Sequence, residues 1–130
     1  LDNPGAVTAI KVEKLADVSS TEKIVFVDEA QFFTDLYDTV LAWLNNGKIV
    51  YVAGLKGTSE CKKFGQIIDL IPHADKIKEL FALCEICAEN DIKTKAPFTH
   101  CRAQKDGDIL IGSSEYMSLC RTHYCSQNKI

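Results

Sequence analysis

Two short runs of apolar residues predict two buried strands. Residues 24–27 (IVFV) are β-branched and aromatic, and this run ends at Asp28 and Glu29. Residues 49–53 (IVYVA) form a second run of the same kind. Continuous apolar runs are typical of strands that are buried on both faces of a parallel sheet. We therefore expect Asp28 and Glu29 to lie at the polar end of such a sheet.

The segment between these strands predicts an amphipathic helix. Residues 35–46 place apolar side chains at helical spacing, with Thr34 or Asp35 as the cap and Gly47 just past the end. A strand, a helix and a second strand in this order close with a right-handed crossover into a parallel sheet. The first half of the chain is therefore predicted to be α/β.

The second half of the chain carries weaker signals. Residues 54–59 form a loop at a strand end, the edge where α/β folds bind ligands. Residues 64–71 predict a short helix that Pro72 stops, and residues 74–83 fit either a helix or a strand, to which we assign a strand. Asp106-Gly107, near apolar stretches, is a hairpin signal. A β-ribbon with a long loop is therefore expected near the C-terminus.

Two matching pairs of metal-ligand residues are the most specific motif. Cys84 and Cys87 are separated by two residues, and so are Cys120 and His123. Three thiolates and one imidazole suit a closed tetrahedral zinc site, which has no open position for catalysis and is therefore structural. Cys125 could compete with His123 as the fourth ligand, but the choice of His123 keeps the two pairs symmetrical. This motif predicts two domains, residues 1–80 and residues 81–130.

The alternative for the six cysteines is a set of disulfides or of free thiols in a core. The N-terminal residues show no basic segment followed by an apolar run, which a secretory leader would have. Disulfides are rare in the cytosol. We therefore expect a cytoplasmic protein with reduced cysteines, and the repeated spacing favours zinc over disulfides.

Charge and length exclude several classes of protein. The formal net charge of −3 argues against a surface that binds nucleic acid, because phosphate contacts need clustered lysines and arginines. The longest strongly apolar stretch, residues 49–55, is too short to span a bilayer. A chain of 130 residues can bury one core and a small subdomain. Neither nucleic acid nor a membrane is therefore an expected partner.

An apolar strand that ends in Asp-Glu is typical of the Walker-B arrangement. There the aspartate, here Asp28, holds the magnesium ion of a bound nucleoside triphosphate, and Glu29 lies within reach of the attacking group. The same pattern also occurs as an acidic turn without a catalytic role. The accompanying P-loop motif, G-x-x-x-x-G-K-[ST], does not occur in the 130 residues.

Several segments together resemble one enzyme family. In chain order they are DEAQFF (28–33), AGL (53–55), FG (64–65), LIPHAD (70–75), LFALCEIC (80–87), FT (98–99), IG (111–112), EY (115–116) and CRTHY (120–124). Over residues 6–125 their order and spacing closely resemble the type II, zinc-containing cytosolic thymidine kinases.

This resemblance implies transfer of the γ-phosphate of ATP to the 5′-hydroxyl of thymidine. Asp28 would hold the magnesium ion that accompanies ATP, and Glu29 would take the hydroxyl proton as the general base. The base would bind, with Phe32 stacked nearby, in a lasso-like loop at about residues 98–116. The substrate-binding residues that the resemblance implies are Phe32, Leu55, Phe64, Thr99, Leu110, Gly112 and Tyr116.

The resemblance also implies the architecture. It implies a P-loop-kinase-like parallel sheet, present here in part, a zinc-ribbon β subdomain with the lasso loop, and a homotetramer. Lys56 and Ser59 depart from the acidic and aromatic residues usual in the family's Gly-Leu-Asp-x-x-Phe pattern. Because the P-loop motif does not occur, the chain is either the C-terminal part of a longer kinase or a truncated copy of one. We expect the first, and we expect the chain to be inactive alone.

Two other function classes remain open from sequence. A helicase-type ATPase also has a Walker-B motif that reads Asp-Glu-Ala, but it predicts a basic nucleic-acid track, which the net charge of −3 does not favour. A non-catalytic zinc-ribbon interaction module would explain the cysteine and histidine pairs. That class leaves Asp28 and Glu29 without a role.

Overall fold

The computed structural model describes residues 5–19, 21–103 and 115–130. The chain forms two compact units, and each is described by itself. The first unit comprises Leu1–Lys56 and Gly65–Pro72, and the second comprises Gly57–Phe64 and His73–Ile130. The domain boundary predicted between residues 80 and 81 stays a prediction.

The first unit is built on a parallel pair of strands. Strand β1 (Ile24–Val27) pairs with β2 (Ile49–Val52), and Ile24 lies opposite Ile49. Helix α1 (Leu36–Asn45) connects the two strands and packs against β2. The predicted order of strand, helix and strand is therefore confirmed, as is the mixed α/β class of the chain.

The core of the first unit lies between the sheet and α1. Val25 and Val50 pack against it from the strands, while Phe26 and Tyr51 at alternate positions point away from it. The buried core residues are Leu15, Val27, Ala30, Leu36, Val40, Trp43 and Leu70.

The outer face of the β1–β2 pair is exposed. Phe26 is 75% exposed and Tyr51 is 56% exposed, and their rings stack on each other with centroids 4.7 Å apart. The prediction that these strands are buried on both faces is wrong for the described structure. The reason is that α1 covers one face only, and no described element covers the other.

The segment after Phe64 is not the predicted helix over residues 64–71. The structure has a 3₁₀ helix at Ile67–His73 that includes Pro72. Gly65 has φ +59°, a left-handed conformation, and a Cβ built there would lie 2.2 Å from the carbonyl oxygen of Gln31. Because a right-handed helix cannot run through that conformation, the regular segment begins after it.

The second unit combines short antiparallel ribbons with two short helices. A single strand leads into the first helix, and a two-stranded ribbon leads into the second. The elements are β3 (Ala82–Leu83), α2 (Glu85–Ala88), β4 (Lys95–Ala96), β5 (Phe98–Cys101), β6 (Tyr116–Leu119) and α3 (Arg121–Asn128). The pairs β3–β4 and β5–β6 are antiparallel. This confirms the expected C-terminal β-ribbon, although its Asp106-Gly107 turn lies outside the described residues.

The strand predicted over residues 74–83 is largely wrong. Only Ala82–Leu83 forms a strand, while Ile77 and Leu80 are 60% and 78% exposed in a segment without regular structure. A strand needs a partner for its backbone groups, and β4, with two residues, pairs only with Ala82 and Leu83. No helix in the described parts of the chain has the length and apolar character needed to cross a membrane.

Candidate functional site

Three cysteines and one histidine of the second unit converge on one point. The ligand atoms of Cys84, Cys87, Cys120 and His123 all lie within 4.8 Å of one another. His123 Nδ1 lies 3.3 to 3.5 Å from each of the three sulfurs. Tetrahedral zinc, with bonds of about 2.3 Å to sulfur and about 2.0 Å to nitrogen, places sulfur and nitrogen about 3.5 Å apart. The cluster therefore has suitable dimensions and could bind a metal ion such as zinc.

Each ligand pair lies at the start of a short helix. Cys84 and Cys120 are the extended residues that precede α2 and α3, and Cys87 and His123 follow three positions later within those helices. Residues three apart at a helix start lie on the same face, so each pair directs its side chains to one side. Cys125, the alternative fourth ligand, is not a member of the cluster.

The three thiols of the cluster are buried, and the pKa values of Cys84 and Cys87 are shifted in opposite directions. Burial raises the pKa of Cys84, but hydrogen bonds from the backbone of Cys120 and Cys87 and from His123 outweigh it, and the pKa falls to about 6. A hydrogen bond with Thr94 lowers the pKa of Cys87, but burial and the neighbouring thiols raise it above its ordinary value. A bound dication would compensate the charge of several thiolates in so small a space.

Glu85, between the two cysteines of the first pair, fastens α2 to the β5–β6 ribbon. Its carboxylate accepts a 3.0 Å hydrogen bond from the backbone N–H of Ser118 on β6. It also accepts a 2.9 Å charged hydrogen bond from Arg102, which follows β5. The first ligand pair is therefore held against the ribbon that leads to the second pair.

The two acidic residues of the first unit lie at the carboxyl end of β1. Both Asp28 and Glu29 are exposed to solvent. Glu29 has left-handed backbone angles (φ 50°, ψ 41°), and its N–H donates a 2.9 Å hydrogen bond to Asp28 Oδ1. The next residue, Ala30, is buried and donates its N–H to the carbonyl of Ala53 at 3.0 Å. The acidic pair is thus anchored to the end of β2.

One side chain that the sequence reasoning missed connects these acids to the loop after β2. Gln31 is 4% exposed, and its Nε2 donates a 2.6 Å hydrogen bond to Glu29 Oε2. Its Oε1 accepts a 3.0 Å hydrogen bond from the N–H of Leu55. The sequence feature that could have pointed to Gln31 is that it is the one polar residue in the apolar stretch 30–33, directly after Glu29.

The predicted substrate-binding residues fall in different parts of the structure. Phe32 and Leu55 belong to the first unit with Asp28 and Glu29, and they are 50% and 52% exposed. Three others belong to the second unit, namely Phe64, Thr99 on β5 and Tyr116 on β6. The remaining two, Leu110 and Gly112, lie outside the described residues.

The loop of residues 57–64 has its own fixed conformation within the second unit. Gly57 and Lys63 form an antiparallel bridge, and the N–H of Thr58 donates a 2.8 Å hydrogen bond to the carbonyl of Lys62. The hydroxyl of Tyr124, on α3, donates a 2.7 Å hydrogen bond to the carbonyl of Ser59. Burial is the largest of the effects that raise the pKa of Tyr124 to about 12, so its hydroxyl remains a donor at neutral pH.

Comparisons with known proteins all point to the same family. A family model described as thymidine kinase matches residues 3–124. A thymidine kinase of Oryza sativa subsp. japonica is 43% identical over 103 residues, covering 78% of this chain and 36% of the relative. The cytosolic thymidine kinase of Homo sapiens is 34% identical over 119 residues, covering 92% and 49%. A thymidine kinase of Yaba monkey tumor virus is 33% identical over 126 residues, covering 95% and 67%.

The chain thus spans between about a third and two thirds of the length of these relatives. The matched range includes Asp28, Glu29 and all four residues of the metal cluster. The family inferred from the sequence motifs is confirmed by this match. The chain belongs to the thymidine kinase family.

Proposed function

We propose that the full-length protein transfers the γ-phosphate of ATP to the 5′-hydroxyl of thymidine. In this reaction the hydroxyl oxygen forms a bond to the γ-phosphorus, the bond to the bridging oxygen breaks, and ADP leaves. Glu29 takes up the hydroxyl proton as the general base. The magnesium ion that accompanies ATP would be held by Asp28 and would supply charge neutralisation at the phosphates.

The observation that carries this proposal is the placement of the two acids in a chain of this family. Asp28 and Glu29 lie side by side at the carboxyl end of β1, the edge of an α/β sheet at which ligands bind. Both are exposed, so a substrate can reach them. Glu29 is also oriented by a direct hydrogen bond from Gln31.

The remaining substrate contacts are proposed from the same family membership. Phe32 would stack near the thymine, and the lasso loop of residues 98–116 would hold the base. The other substrate-binding residues would be Leu55, Phe64, Thr99, Leu110, Gly112 and Tyr116. Phosphate binding requires a P-loop, whose motif does not occur in this sequence, so we propose that another segment of the protein supplies it.

The cysteine and histidine cluster is proposed to hold a structural zinc ion. Cys84, Cys87, Cys120 and His123 would fill all four positions of a tetrahedral site, which leaves none for water or substrate. Its role would be to fix α2 and α3, and with them the ends of the lasso loop. We further propose a cytoplasmic homotetramer that binds neither nucleic acid nor membranes.

The direct test uses full-length protein produced in cells that lack their own thymidine kinase. ADP release and nucleoside monophosphate formation are measured with thymidine, deoxycytidine and deoxyguanosine in turn. We expect thymidine to be phosphorylated in preference to the other two. Because Lys56 and Ser59 differ from the family pattern, deoxyuridine serves as an additional probe of the pocket.

Two results would overturn the proposal. One is ATP hydrolysis that single-stranded DNA stimulates and thymidine does not, which would favour a helicase-type ATPase. The other is a full-length protein that binds zinc but neither ATP nor thymidine, which would favour an interaction module.

A further inference from the structure

Gln31 is a buried amide whose two ends are both used. It is 4% exposed, in contrast to the exposed acids Asp28 and Glu29 that precede it. Its Nε2 lies 2.6 Å from Glu29 Oε2, and its Oε1 lies 3.0 Å from the backbone nitrogen of Leu55. A buried amide with both ends satisfied has a single favourable orientation.

The chemistry of the partners fixes which end faces which. The backbone N–H of Leu55 can only donate, so it must face the oxygen of the Gln31 amide. The amide nitrogen then faces Glu29, whose ionised carboxylate can only accept. A flip of the amide would set a donor against a donor and an acceptor against an acceptor. The orientation of Gln31 thus supplies Glu29 with a donor at a fixed position.

The backbone of two glycines lies close to Gln31. A Cβ built on Gly54 would lie 2.5 Å from Gln31 Oε1, and one built on Gly65 would lie 2.2 Å from the Gln31 carbonyl oxygen. Both glycines therefore permit close approach of the backbone to Gln31. The segment after β2 and the segment before the 3₁₀ helix therefore both lie against Gln31.

Glu29 needs such support because its own backbone is in an unfavourable region. Its φ of 50° and ψ of 41° are left-handed angles, which cost a non-glycine residue free energy. Such conformations persist where the surroundings hold them, and they cluster at functional sites. The hydrogen bond from Gln31 fixes the carboxylate that this backbone presents.

We propose that Gln31 is the positioning residue of the reaction. It holds the carboxylate of Glu29 in one orientation for accepting the proton and couples it to the backbone of Leu55, a proposed substrate contact. This inference rests on the proposed function, because it assigns Gln31 a part in the reaction that Glu29 serves as base.

The test compares three variants of the full-length protein. Gln31→Glu keeps the size and an acceptor for Leu55, but it sets a second carboxylate against Glu29. Gln31→Met removes both hydrogen bonds. Gln66→Glu is the matched control, because Gln66 is also a two-sided amide, accepting from the N–H of Tyr37 at 2.8 Å and donating to the carbonyl of Thr34 at 2.9 Å.

The pH dependence of kcat distinguishes a positioning role of Gln31 from a role in protein stability alone. Two carboxylates that share a site retain a proton to higher pH, so Gln31→Glu should move the acidic limb of the profile upward by about 1 unit or more. The neighbouring carboxylate of Asp28 is unchanged in all variants. We expect kcat to fall about 10- to 100-fold in Gln31→Met, with a higher KM for thymidine. Gln66→Glu should leave the acidic limb in place.

A second readout does not depend on activity. The side-chain amide resonances of Gln31 in ¹H–¹⁵N spectra should shift as Glu29 is protonated, and this shift should vanish in Glu29→Gln. If wild-type protein fails to phosphorylate thymidine while this coupling is present, the proposed function fails and the Gln31–Glu29 contact stands. Two results would overturn the positioning role. One is an acidic limb of the kcat profile that is unchanged in Gln31→Glu. The other is a set of Gln31 amide resonances that do not shift when Glu29 is protonated.

Discussion

The hydroxyl of Tyr124 donates a 2.7 Å hydrogen bond to the carbonyl oxygen of Ser59, 65 positions earlier in the sequence. Tyr124 follows His123 on α3, and Ser59 lies in the loop that ends at Phe64. The helix that contributes a ligand to the metal cluster therefore also holds the loop of a proposed substrate contact. Metal binding and the conformation of this loop are expected to depend on each other.

Tyr124→Phe should reduce stability through the loss of this one bond. Tyr124 is 5% exposed and Ser59 is partly buried, so the Ser59 carbonyl loses its partner in a partly buried position. We expect a loss of about 1 kcal/mol in the free energy of unfolding, measured by urea titration. Tyr51→Phe is the matched control, because Tyr51 is 56% exposed and should change stability little. Equal losses in the two variants would contradict the role given to the bond.

Cys120→Ser should lower both metal content and stability. The free energy of binding a structural metal is also free energy of folding, so loss of one ligand affects the two together. Wild-type protein is expected to hold about one zinc ion per chain by elemental analysis, and Cys120→Ser substantially less.

Cys125→Ser and Cys61→Ser are the controls for this experiment. Neither cysteine belongs to the cluster, so both variants should keep their zinc. Full zinc occupancy in Cys120→Ser would show that the ligand assignment is wrong. If Cys125→Ser lost its zinc and His123→Ala kept it, the fourth ligand would be Cys125 and not His123.

Asp35 should make the first unit sensitive to acid. Burial raises the pKa of Asp35, but hydrogen bonds from the backbone N–H groups of Ala16 and Leu15, among others, outweigh it and hold the pKa below its ordinary value. Because the folded pKa is the lower one, the stabilisation is present above about pH 4 and is lost as the pH falls through the folded value. Wild type should be more stable than Asp35→Asn at pH 7.

Urea titrations at pH 7, 5 and 3 measure this dependence. The stability difference between wild type and Asp35→Asn should shrink between pH 5 and pH 3. Asp38→Asn, at an exposed position in the first turn of α1, is the matched control and should show a smaller pH dependence. If the stability difference stayed constant down to pH 3, the backbone hydrogen bonds of Asp35 would not stabilise its charged form more than its protonated form.

The sequence was sufficient for features that depend on local patterns. The spacing within the pairs Cys84–Cys87 and Cys120–His123 predicts one shared metal site, and the structure brings the four ligand atoms within 4.8 Å of one another. The α1 helix follows from the helical spacing of its apolar residues, and its flanking strands follow from two short continuous apolar runs. These elements appear close to their predicted bounds.

Features that depend on distant contacts could not be predicted. Gly65 has its left-handed conformation where its backbone lies close to Gln31, 34 positions earlier, and the sequence does not show that contact. The exposed face of Phe26 and Tyr51 depends on which other elements pack on the sheet. The sequence also does not show that the backbone of Leu55 lies within hydrogen-bonding distance of Gln31, which is what connects Leu55 to Glu29.

The most direct test of the account is the turnover of Glu29→Gln in full-length protein. This change keeps the size of the side chain but removes its ability to accept a proton. We predict that thymidine phosphorylation by ATP falls by about two to four orders of magnitude while thymidine affinity changes little. Asp28→Asn should instead weaken the magnesium-dependent nucleotide step. Near-normal turnover in Glu29→Gln, with loss of activity in Asp28→Asn, would contradict the assignment of Glu29 as the base.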